Sequence, residues 1–93
     1  MYKRILRQMR DSVRKRQYVM TLHAEEETAD DGLTVFDVER AILTGEIIER
    51  QEDYQSGDWK YLVLGQAIDG RLVTVVGKLS ITNKLVIITV YTE

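Results

Sequence analysis

The chain contains no cysteine. That excludes disulfide staples, thiolate catalysis and any zinc or iron–sulfur site built on cysteine. It holds one histidine, His23, so a metal centre would need carboxylates to complete it. No apolar run approaches the length of a membrane-spanning helix, and the first residues lack the apolar core of a signal peptide. A nucleophile elbow, a phosphate-binding glycine loop and a nucleotide-binding fingerprint are all missing. The expectation is a soluble cytoplasmic protein without cofactor, metal or membrane partner.

What is present is ordinary for a small globular domain. The 93 residues are 44% hydrophobic and 30% charged, which is enough for one core and too apolar for a disordered chain. The charge is unevenly spread. Residues 1–16 carry Lys3, Arg4, Arg7, Arg10, Arg14, Lys15 and Arg16 against Asp11 alone, a surplus of +6. With a formal net charge of −2, the remainder carries −8. A basic face able to grip a nucleic-acid backbone could come only from this first segment. The plainer expectation is that the segment pairs with the acidic remainder, within the chain or across an oligomer.

Within the segment, Tyr2, Ile5, Leu6, Met9 and Val13 recur at three- and four-residue spacing, which predicts an amphipathic helix over residues 2–15. The stripe lacks Trp and Phe, which argues against a membrane-surface helix. Two short helices are expected next. Thr21 suits an N-cap, Glu25, Glu26 and Glu27 suit the positive end of a helix dipole, and Gly32 suits a left-handed C′ position, so the first spans about 22–31. Thr34 and Asp37 have capping-box spacing, Val35, Val38, Ile42 and Leu43 make a buried stripe, and Gly45 ends the second.

From Glu46 the hydrophobic period changes to two. Strands are expected at Glu46–Glu52, Trp59–Gln66, Arg71–Leu79 and Lys84–Thr92. Asp69-Gly70 suits a two-residue type I′ hairpin turn. That turn would set Ile68 opposite Arg71, Leu64 opposite Val75 and Leu62 opposite Gly77. It assigns Leu62, Leu64, Ile68, Val73, Val75 and Leu79 to the core. Tyr61, Val63, Ala67, Leu72, Thr74, Val76 and Lys78 then share the other face, with Tyr61 and Lys78 as cross-strand neighbours. This second face is too apolar to meet water, so the basic helix, a second copy of the chain or a partner should cover it. Thr89 and Tyr91 share a face of the last strand.

The fold class expected is therefore α+β, three helices followed by a four-stranded antiparallel β-meander in one domain over 1–93. Its parts are the basic helix 1–16, two short helices in 17–45 and the meander 46–93. His23, Glu26 and Glu27 lie at i, i+3 and i+4 on one helix face. Three readings of that trio stay open: a partial metal site for a hydrolase, an imidazole–carboxylate pair for acid–base work, or a solvated helix start.

The order of motifs resembles a family of small uncharacterised bacterial domains with a His-Ala-x-x-Arg helix and a terminal Thr-x-Tyr strand. That family is grouped with RelE-like and barnase-like ribonuclease toxins. The matching residues are His23-Ala24, the Val35–Gly45 helix, Lys60-Tyr61-Leu62-Val63 and Ile88-Thr89-Val90-Tyr91. They cover about residues 18–92 and leave the basic helix outside. The resemblance implies a RelE-like fold, an antitoxin-like protein partner and metal-independent RNA cleavage, in which a ribose 2′-hydroxyl attacks the adjacent phosphate. His23 would then be the acid or base and Lys78 the cation, while Tyr61, Thr89 and Tyr91 would position phosphate or base. The family's arginine is Glu27 here, a carboxylate that would repel RNA and weaken or abolish the activity. A non-catalytic protein-interaction or homo-oligomerisation module of the same fold is the alternative.

Overall fold

Residues 1–92 are described in the computed structural model, beginning with α1 (Lys3–Arg14). The expected apolar stripe is the buried side of this helix, with Leu6, Met9 and Val13 all in the core. A short strand, β1 (Tyr18–Met20), leads into α2 (Leu22–Asp30). The Thr21 hydroxyl accepts the Ala24 N–H at 3.1 Å and starts the helix. Gly32, at φ +68°, ends it: the Gly32 N–H donates to the Ala29 carbonyl and the Leu33 N–H to the Thr28 carbonyl, which is the Schellman arrangement. The Arg71 guanidinium adds a bond of 3.0 Å to the Asp31 carbonyl, a cation on the negative end of the dipole. In α3 (Val35–Thr44) both arms of the Thr34–Asp37 capping box form.

Four longer strands follow: β2 (Glu46–Glu52), β3 (Trp59–Gln66), β4 (Leu72–Leu79) and β5 (Leu85–Thr92). The sheet has five strands in the order β1-β5-β4-β3-β2, with β1 parallel to β5 and every other pair antiparallel. This corrects the expected four-stranded antiparallel meander. Tyr18-Val19-Met20 is too short to show a period of two, and its partners are Leu85 to Ile87, a pairing no local pattern encodes.

The hairpin register is also corrected, by one residue. The Ala67 N–H donates to the Arg71 carbonyl and the Gly70 N–H to the Ala67 carbonyl, so the loop has three residues, Ile68, Asp69 and Gly70. Only Gly70, at φ +91°, takes a left-handed conformation, whereas a type I′ turn needs two such residues. Leu64 therefore faces Thr74, Val63 faces Val75 and Tyr61 faces Gly77. A one-residue shift turns every β3 side chain to the opposite side. Tyr61, Val63 and Ala67 are in the core, while Leu62, Leu64 and Ile68 are not part of it. On β4 the expected core residues Val73 and Val75 are there. The β4–β5 loop repeats the same hydrogen-bond pattern between Ser80 and Lys84, with Asn83 at φ +63° in the glycine's place.

α1 and α3 lie on the core face of the sheet, and α2 flanks β5 beyond the end of β1. Fully burying each of Met9, Ile42 and Val63 contributes about 1.5–3 kcal/mol. The contact of α3 with the sheet is unusually close. A Cβ on Gly65 would stand 1.9 Å from the Ala41 carbonyl oxygen, and one on Gly45 would stand 2.5 Å from the same atom. Arg10 ties the first helix to this junction, its guanidinium donating to the Ile42 and Gly45 carbonyls at 3.3 and 2.7 Å. Among the described residues the opposite face of the sheet carries no helix, and α1 packs on the core face instead.

Candidate functional site

Thr89 and Tyr91 reach the helix-free face because β5 is irregular. Before the irregularity, Leu85 pairs with Leu79 and Ile87 with Gly77. After it, Thr89 pairs with Val76 and Val90 with Val75, which leaves Ile88 as the extra residue of a β-bulge. The buried series accordingly changes from odd to even numbers, with Leu85, Ile87 and then Val90 all fully buried. Without the bulge, Thr89 and Tyr91 would continue the series that begins with Leu85 and Ile87 and point into the core. With it, they stand beside Thr74 and Val76 on the open face, and Tyr91 is 38% exposed.

The bulge sits against the start of α2. The Thr21 N–H donates to the Ile87 carbonyl at 3.0 Å, and the Thr21 hydroxyl donates to the Ile88 carbonyl at 3.1 Å. The same threonine thus caps α2 and clasps the bulge. Two turns of α2 then run along the edge of β5. The Glu27 carboxylate accepts the Val90 N–H at 3.1 Å, and the Asp31 carboxylate accepts the Thr92 N–H at 3.2 Å. These are edge amides that β1 is too short to reach. The spacing of the two carboxylates, one helical turn, matches the alternate amides of a strand edge.

His23 projects from the first turn of α2, and its Nε2 lies 3.3 Å from Glu27 Oε1. The ring is exposed, whereas the carboxylate is largely covered. An imidazole whose Nε2–H donates to Glu27 presents Nδ1 as its acceptor, which is a geometry for taking up a proton. His23, Glu27, Thr89 and Tyr91 are therefore brought to one stretch of β5. The sequence reading gave Glu27 the part of a phosphate-repelling group; here its carboxylate serves the Val90 amide and the His23 ring.

Lys78 and Tyr61 fall elsewhere. Lys78 shares the open face but lies opposite Val86, whereas Tyr91 lies opposite Thr74. Four residues of strand separate them, about 13 Å. Its ammonium is 3.4 Å from both Asp53 and Ser56, which belong to the β2–β3 loop. The Asp53 carboxyl is held below the usual carboxylate range, chiefly by the Gln55 backbone N–H, with Lys78 and Ser56 adding to it. Tyr61 is on the other side of the sheet, buried and in edge-to-face contact with Tyr2 at 5.8 Å between ring centres. The expected Tyr61–Lys78 neighbour pair is thus corrected, for the register reason given above: Tyr61 faces Gly77, and its ring belongs to the core.

The open face is mixed in character. Leu62, Thr74 and Val76 are buried at its centre, and Leu72 is 46% exposed towards one end. Among the described residues, no three His, Asp or Glu side chains converge on a point where a metal ion could sit. Nor is any helix of the described residues long and apolar enough to cross a membrane.

Taken together, the chain is an α+β domain whose helices take one face and one edge of a mixed sheet, with polar side chains gathered beside a bulge on the other face. Residues 20–92 match a domain of unknown function, DUF4258, and the chain belongs to that family. The basic α1 lies outside the matched stretch. No curated protein and no solved structure matches the chain.

Some features of this stretch left no readable signal in the sequence. Nothing local shows that the Glu27 and Asp31 carboxylates accept from Val90 and Thr92, amides more than 60 residues away. The bulge at Ile88 is equally silent, because Val86, Ile87, Ile88 and Val90 are all apolar and mask the change of phase.

Proposed function

We propose that this domain acts on RNA as a RelE-related, toxin-like endoribonuclease that needs no metal. One observation supports the reading: the Ile88 bulge turns Thr89 and Tyr91 out of the core, on the stretch of β5 whose Val90 N–H donates to the Glu27 carboxylate that the His23 ring meets. Bulges that re-aim side chains recur next to active sites. In the reaction, Nδ1 of His23 takes the proton of a ribose 2′-hydroxyl as its oxygen attacks the adjacent phosphorus. The Thr89 and Tyr91 hydroxyls donate to the phosphate oxygens, where negative charge grows. The 5′-oxygen leaves with a proton from water, and a 2′,3′-cyclic phosphate remains. Glu27 orients the imidazole. Lys78 is too far from Tyr91 to touch the same phosphate and serves another along the strand.

The test is incubation of pure protein with RNA in the presence of a chelator, beside His23→Ala and Tyr91→Phe. Cleavage that needs His23 and yields cyclic phosphate ends is expected. Cleavage equal in wild type and His23→Ala, or none in either, overturns the reading.

A second reading rests on the apolar content of the same face. Leu72 is exposed there and Leu64 half-buried, with no helix over them among the described residues, a surface suited to a second copy of the chain or to an antitoxin-like protein. Sedimentation of wild type and Leu72→Lys tests it. A dimer that the lysine disperses supports a non-catalytic module when RNA is left intact, and a monomer at all concentrations counts against self-association.

A further inference from the structure

β1 is the edge strand beside β5, and α2 takes over the same edge from Leu22 onward. The Thr21 N–H donates to the Ile87 carbonyl, so Thr21 turns its main chain towards β5. Alternation along the strand gives Val19 the same direction and turns the N–H and C=O groups of Tyr18 and Met20 away from β5. Outside the β1–β5 ladder, no backbone hydrogen bond of the described residues reaches these four groups. The outer side of β1 opens on a groove of about 430 Å³, lined by Arg16, Val19, Met20, Glu25 and Val35 with Tyr18. An edge strand with free backbone groups is a template for another strand.

Tyr18 and Met20 pack against the core, and the Tyr18 hydroxyl donates to the Glu39 carboxylate of α3. Val19 therefore points to the open face, where it is 42% exposed. The charges around the groove have an order. Arg16 precedes β1, whereas Glu25 lies one turn into α2 beyond it, and neither makes an ion pair among the described residues. Arg16 and Tyr18 also line an adjoining groove with Thr82, Asn83 and Lys84, which holds no carboxylate. Within residues 1–16, the ion pair among the described residues joins Lys15 to Asp11 on the same helix, at 3.0 Å. So the expected pairing of the basic segment with the acidic body does not occur within the chain.

We infer that the outer edge of β1 pairs with β1 of a second copy of this chain, antiparallel about a two-fold axis at Val19. The two five-stranded sheets then join into one of ten strands. In this register Tyr18 faces the partner's Met20, and each pair exchanges two backbone hydrogen bonds, which satisfies the four outward groups on each copy. Val19 meets the partner's Val19 in the close, non-hydrogen-bonded position between them. The charges select a copy of the same chain as the occupant. An antiparallel copy brings its own Glu25 to Arg16 and its own Arg16 to Glu25, and its acidic α2 passes the groove of Arg16 and Lys84. The basic segment thus meets the acidic body across the dimer. A three-residue strand makes a small contact, so the charged flanks supply much of the affinity, and salt should weaken it. The surface is separate from the apolar open face and is independent of any action on RNA.

The test is sedimentation velocity of the full chain over a range of concentrations, at low and high salt. A dimer that dissociates more readily at high salt is expected. Val19→Lys sets two like charges against each other at the axis and should leave only monomer, with thermal melting to show that the variant is folded. Arg16→Glu should weaken the dimer roughly tenfold, because the axis counts the change twice, and adding Glu25→Arg to it should restore the affinity. Val19→Cys supplies a direct measure of register. Its two Cα atoms would lie about 4.5 Å apart, within disulfide reach, so mild oxidation should give a covalent dimer, whereas Leu72→Cys should not. A wild type that is monomeric at every concentration overturns the inference, as does a dimer that Val19→Lys leaves intact. A dimer dispersed by Leu72→Lys and not by Val19→Lys would place the contact on the open face instead.

Discussion

The Glu27 carboxylate accepts the Val90 backbone N–H at 3.1 Å and stands 3.3 Å from the His23 ring. One side chain thereby closes the edge of the sheet and orients the imidazole. An edge amide left bare is a template for pairing with another chain, and α2 covers this one with carboxylates in place of a strand.

Glu27→Gln retains an acceptor and should leave stability nearly unchanged. Glu27→Arg, which offers only donors, should cost about 1–2 kcal/mol in urea unfolding and speed hydrogen exchange at Val90. Exchange at Val90 that is equally slow in both variants would show that the carboxylate is not what protects the amide.

Gly65→Ala should be among the most damaging single substitutions in the core. Its Cβ would need to displace the Ala41 carbonyl, backbone that α3 cannot yield without lifting from the sheet. A loss of about 3 kcal/mol is expected, at the upper end of overpacking effects. Gly32→Ala makes the comparison: no atom lies within 4 Å of the added Cβ, and its cost comes from φ +68° alone. The Gly65 variant should therefore melt well below the Gly32 variant.

Stability should fall in acid through Asp37. Its carboxyl is held below the ordinary value of 3.8 by the backbone N–H of Thr34 first and that of Ile68 next, against the opposing effect of burial. A carboxylate with a depressed folded-state pKa stabilises the fold above its unfolded-state pKa, and that contribution is lost as pH falls through the folded-state value. The loss should begin near pH 4 and continue below it, and Asp37→Asn should flatten this part of the profile. Urea midpoints from neutral pH down to about pH 2 provide the measurement. An unaltered profile in the variant would place the acid sensitivity on other carboxylates.

Tyr91 and Tyr61 should separate function from folding. Tyr91→Phe removes an exposed hydroxyl from the open face and should reduce RNA cleavage by about tenfold or more with an unchanged melting temperature. Tyr61→Phe acts on the core face, against Tyr2, and should leave cleavage intact. The reverse pattern would move the active surface to the helix side of the sheet.

Much of the fold is legible because its signals are local. The Thr21 and Thr34 caps, the Gly32 terminus and the α1 stripe each depend on residues within one or two turns, and all are found where their chemistry predicts. The Asp69-Gly70 turn was legible as a turn but not as a type. Asp69 can take a left-handed conformation and does not, and that one dihedral decides which side of β3 faces the core. Of the candidate residues, Thr89 and Tyr91 do share a face, whereas Tyr61 and Lys78 do not.

By itself the sequence determined the helices, their ends, the placing of the four long strands and the separation of basic from acidic charge. Each follows from spacing along one segment, where backbone geometry and side-chain polarity act over a few residues. The tertiary structure alone decided that Tyr18–Met20 joins the sheet, that β3 turns Tyr61 inward, that β5 bulges at Ile88, and that Glu27 meets Val90. All four involve strand pairing or contacts across the sheet. Register is settled by the energy of the whole buried face, and a shift of one residue reverses that face while leaving every local signal unchanged.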